Sequence, residues 1–144
     1  MSPRHQPLRL LAEDADDLAV ISAALQDAVT RIGDISWEKR GRRLTITFNR
    51  FCWEGESGRG ERVVAGFQLG GVTQVQARNL RAEAKDAVLE LLALTFEPSE
   101  APGGRVVFAF ADGGDLAAEV ECVDAALADL THPWPSAHKP GHET

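Results

Sequence analysis

The chain has no tyrosine, four histidines, two cysteines and one methionine in 144 residues. The histidines are His5, His132, His138 and His142. None lies between His5 and His132, so the body has no Ser-His-Asp triad, Cys-His pair or His-ligated metal site. General acid or base work there would fall to Asp, Glu, Lys or Cys. No stretch approaches the roughly 20 apolar residues of a membrane span. The start, Met-Ser-Pro-Arg-His-Gln-Pro, carries charge with no apolar segment behind it, unlike a secretory signal. Cys52 and Cys122 are far apart and read as reduced, buried thiols, which makes the cytoplasm the expected compartment. No cofactor, metal or catalytic residue is expected.

What is present describes an ordinary folded domain. Hydrophobic residues are 44% and charged residues 26%, a balance that supports a buried core. Net charge is −7 but uneven. Residues 35–85 hold 10 basic and 5 acidic side chains, whereas 86–144 hold 2 basic and 11 acidic. Such a basic middle marks either an acidic partner or pairing within the fold.

The periodicity predicts an α+β domain over residues 8–130. A disordered N-terminus (1–7) precedes it, and a flexible Pro/His-containing tail (131–144) follows. Leu8 to Leu11 reads as a strand. Glu13 to Asp17 supplies cap residues and acids that favour a helix N-terminus. Leu18, Ile21, Leu25, Ala28 and Ile32 then recur at three and four, predicting a long amphipathic helix that Gly33 stops. Strands follow at 35–39, 43–49, 63–69, 72–80, 88–96, 105–111 and 116–123, the fourth of them polar enough for an edge; 88–96 and the Ala-rich 116–123 also fit a helix, and length favours strand for the former. A short C-terminal helix or strand extension covers 124–130. The expected architecture is thus one long helix, about seven mostly antiparallel strands and a short terminal helix. A meander of this length forms a curled sheet or barrel, and its count fits a pleckstrin-homology-like barrel.

Leu44, Ile46 and Phe48 alternate with polar residues, but Phe51 and Trp53 lie on the opposite parity. This flip predicts a bulge or bend after Asn49. Asn49, Arg50, Trp53 and Glu54 are therefore candidate ligand-binding residues. Arg50 would grip a carboxylate or phosphate beside an aromatic platform, with Glu54 or Cys52 as a reactive partner. The structural alternative has Arg50 paired with an acid while Phe51 and Trp53 fill the core. Lys39, Arg40, Arg42 and Arg43 surround a glycine turn and are candidate anion contacts for nucleic acid or acidic lipid. A pI near 5.0 and the absence of an aromatic in that turn argue against dedicated nucleic-acid binding. Gly55, Gly58 and Gly60 form a glycine-rich hairpin loop with no nucleotide-binding signature.

Three segments carry a resemblance. They are Leu8 to Leu18 running on to Val29, then Arg43 with Asn49-Arg50-Phe51-x-Trp53-Glu54, and Glu119 to Ala125 with Asp129-Leu130 and Trp134. Together they resemble the DUF2948 family, small alphaproteobacterial proteins without assigned activity. The resemblance implies a bacterial, cytoplasmic protein and transfers no catalytic residues or cofactor. The leading expectation is a non-enzymatic binding or protein-interaction module, with a protein partner or a homodimer as its contact. The alternatives are a small anionic-ligand barrel or enzyme built on Arg50, and an anionic-polymer binder using the Lys39–Arg43 turn.

Overall fold

The computed structural model describes residues 7–52, 61–131 and 134–135. In chain order come β1 (Arg9–Ala12), α1 (Ala15–Ala24), β2 (Val29–Arg31), β3 (Ile35–Glu38), β4 (Arg43–Cys52) and β5 (Glu61–Leu69). Then follow β6 (Val72–Arg78), β7 (Val88–Pro98), β8 (Gly104–Phe110), β9 (Asp115–Val120), β10 (Ala125–Asp129) and β11 (Trp134–Pro135). Among the described residues this is one helix of ten residues, short 3₁₀ turns, ten strands of three residues or more, and a two-residue strand.

Three expectations are overturned. The N-terminal helix is short. Asp14 caps it, its carboxylate accepting from the Asp17 N–H at 2.8 Å. It ends at Ala24, and Asp27 sits at φ 66°, outside any helix. The apolar stripe persists beyond that break, since Ala28 and Ile32 are buried. Val29 and Thr30 nonetheless enter a sheet, where β-branched side chains pack well. Gly33 lies in a 3₁₀ turn, its N–H bonded to the Lys85 carbonyl at 2.8 Å. The expected C-terminal helix is β10. Its alanines have helical propensity, yet the segment is flanked by β1 and β5 and buries Ala125 and Leu127 on alternate positions. The seven-strand count fails with it.

Every strand pairing is antiparallel. The path runs β1-β10-β5-β4-β2-β7-β8-β9-β6, with β3 beside β4 and β11 beside β5. β2 joins the two halves by pairing both β4 and β7. The sheet curls around one core. Phe67 on β5 meets Phe108 on β8 edge-on, with ring centroids 5.6 Å apart. Leu18, Ile21 and Leu25 of the helical segment close that core, and Ser22 accepts the Leu94 N–H at 2.9 Å. Gly71, at φ 65°, makes the turn between β5 and β6. At Gly104 a Cβ would lie 2.5 Å from the Phe96 ring and the Glu97 carbonyl, so only glycine fits.

Candidate functional site

The predicted bulge after Asn49 does not exist. β4 pairs β5 in unbroken register from Leu44 opposite Leu69 to Cys52 opposite Glu61. Strand alternation therefore continues, and Arg50 follows Leu44, Ile46 and Phe48 into the interior. The six-residue run does not form one patch. Arg50 and Cys52 share the inner face, while Asn49 and Phe51 share the other. Trp53 and Glu54 fall outside the described residues, as does the Gly55–Gly60 loop.

Arg50 is held by Asp129 of β10, across the intervening β5. Its Nε donates to Oδ1 and its Nη2 to Oδ2, each at 2.9 Å. The two side chains are 1% and 0% exposed. Asp129 Oδ2 also accepts the Leu8 N–H at 2.8 Å, tying the entry to β1 into the same knot. Two buried charges are costly to desolvate, and this forked geometry is what offsets that cost. The same fork is what an incoming carboxylate or phosphate would require, and Asp129 occupies it.

On the other face Arg62 meets Asn49. Arg62 Nε donates to Asn49 Oδ1, and its Nη2 donates to the Asn49 carbonyl at 3.0 Å. The guanidinium carbon lies 6.0 Å from the centre of the Phe51 ring. Burial lowers the Arg62 pKa from its ordinary value.

The Lys39–Arg43 turn is a mixed-charge corner. Arg42, at φ 54°, pairs with Glu121 at 3.0 Å, and its carbonyl accepts the Val72 N–H at 2.9 Å. Arg43 lies 3.6 Å from Glu38. Lys39 and Arg40 are exposed and make no ion pair among the described residues. Elsewhere Arg78 pairs with Asp115 at 2.7 Å, and Arg105 with Glu97 at 2.9 Å. Three of these pairs, Arg42–Glu121, Arg50–Asp129 and Arg78–Asp115, join the basic middle to the acidic last third. The charge asymmetry of the sequence is thus used within the fold.

Sequence reasoning missed the roles of Asp129 and Glu90. Asp129 carried a readable signal, because Ala125, Leu127 and Asp129 recur at period two, which the helix reading hid. Glu90 on β7 lies near Asp27 and Asp112. Burial raises its pKa, and a hydrogen bond with Asp27 and the charges of Asp27 and Asp112 add to the shift. No group of three or more His, Cys, Asp or Glu among the described residues has metal-holding geometry. Cys52 is buried, but Cys122 is exposed, against the expectation of two buried thiols. No helix among the described residues is long and apolar enough to cross a membrane.

No curated protein and no solved structure matches the chain. The family model described as "Protein of unknown function (DUF2948)" matches residues 8–142, nearly the whole sequence. The chain therefore belongs to the DUF2948 family.

Proposed function

We propose that the protein is a non-enzymatic cytoplasmic interaction module whose contact surface is the rim formed by β1 and α1. The supporting observation is apolar exposure on those two adjoining elements. Leu11 on β1 is 76% exposed and Val20 on α1 is 55% exposed. β1 is also one end of the strand path, and among the described residues no strand pairs its outer edge. An exposed strand edge presents unpaired backbone groups that serve as a template for pairing with another chain. The commitment of the Arg50 fork to Asp129 fits this reading better than an anion-binding barrel.

The test is affinity purification of the tagged protein from its native cells at low salt, beside Leu11→Glu and Val20→Glu variants. A stoichiometric protein species, this chain itself included, should be present with the parent and depleted by both substitutions. An eluate without a protein species, or with one indifferent to both, overturns the reading.

A further inference from the structure

We infer that the partner at this rim is a second copy of the chain, docked by two-fold antiparallel pairing of β1 with β1 about Leu11. The inference rests on the proposed interaction role and names its partner.

The backbone sets the register. In an antiparallel pair, residues alternate between bonding the neighbour and pointing away from it. Leu8 bonds toward β10, its carbonyl accepting the Asp129 N–H at 3.0 Å. Leu10 and Ala12 share its parity in that ladder. The N–H and C=O groups of Arg9 and Leu11 therefore point to the open side. A symmetric β1–β1 pair that uses them places Leu11 opposite Leu11 of the second copy. Arg9 of each chain then comes level with Glu13 of the other, in the bend just past the end of β1. The Glu13 N–H is already bonded to Asp17 at 3.1 Å, so the contact ends there without stranding a donor.

The side chains complement themselves in this register. Arg9 and Leu11 alternate onto one exposed face of β1, and Glu13 is exposed in the bend just past its end. The two-fold axis brings leucine onto leucine and, on both flanks, cation onto carboxylate. An isologous interface requires this self-complementarity. The opposite end of the strand path lacks it. β6 presents Thr73, Gln74, Gln76 and Arg78, and its register shifts between Val72 and Gln74. Polar side chains and irregular register are devices that discourage edge pairing.

The experiment is sedimentation velocity across a concentration series with the full chain, with circular dichroism to confirm folding. The parent should show a monomer–dimer equilibrium. Arg9→Glu alone and Glu13→Arg alone should each weaken it by about tenfold or more, because like charges then face each other twice. The double variant Arg9→Glu with Glu13→Arg should restore it. An equimolar mixture of the two single variants should form a heterodimer, since opposite charges then meet on both flanks. Leu11→Glu should abolish association. A parent monomeric throughout, or a dimer indifferent to these charges, overturns the inference. If that same parent still retains a different protein in a Leu11-dependent manner, the interaction role survives. If it retains none, both readings fall.

Discussion

Arg50–Asp129 and Arg78–Asp115 join the same chemical groups at nearly the same distance, 2.9 and 2.7 Å. Their surroundings are opposite. The first pair is 1% and 0% exposed, whereas the second is 80% and 19% exposed. Distance therefore does not rank them. In the interior, each charge has lost its water and depends on its partner. At the surface, solvent and salt stand ready to replace either partner. The buried pair acts as a structural bolt through β4, β10 and the Leu8 entry to β1. The exposed pair decorates the β6–β9 ladder.

The comparison breaks most visibly when one buried partner is removed. Arg50→Ala or Asp129→Ala should each cost about 3–5 kcal/mol, because the remaining charge stays buried without its main counterion. Urea midpoints and Tm measure this. A loss no larger than that of Arg78→Ala would refute the contrast. Next in size is the joint change Arg50→Met with Asp129→Leu. It should recover most of the single-variant loss, since removing both charges also removes their desolvation cost. The residual defect should be about 1–3 kcal/mol, from the Leu8 N–H losing its acceptor.

A smaller effect concerns Glu90. Its pKa is raised in the folded state, so folding favours its protonated form. Its contribution is full below the ordinary value of 4.5 and is lost as pH rises through the raised value. Glu90→Gln should match the parent in acid and be the more stable of the two at neutral pH. Curves of Tm against pH that stay parallel would contradict this. The smallest change is expected from Arg78→Ala, with Tm unmoved at physiological salt. The hydrogen bond from Arg78 lowers the Asp115 pKa, so any contribution of the pair fades as pH falls through that depressed value. A salt titration of parent and variant should give superimposable curves.

Strands were the readable part of this chain. β1, β3, β5, β7 and β8 lie within a residue or two of where alternation, apolar runs and turn residues placed them. The errors occurred where two periods fit the same residues. Leu25, Ala28 and Ile32 satisfy helical spacing, and all three are buried, yet Val29 to Arg31 between them is extended. Burial was legible there, but conformation was not. At Ala125 to Asp129, propensity favoured helix, and pairing with two neighbouring strands outweighed it. The bulge expected after Asn49 failed for a related reason. Pattern reading treats arginine as an outward residue, so Arg50 looked like a break in parity when it was a continuation.

The sequence alone determined the absence of body histidines, the predominance of strands, a helix start within residues 13–17 and the segregation of charge into a basic middle and an acidic last third. These follow from composition and from neighbours within a few residues. Only the tertiary structure decided which acid met which cation, how far α1 ran and which strands became edges. The physical reason is distance along the chain. Asp129 lies 79 residues from Arg50, and nothing local to either residue shows that their charges cancel.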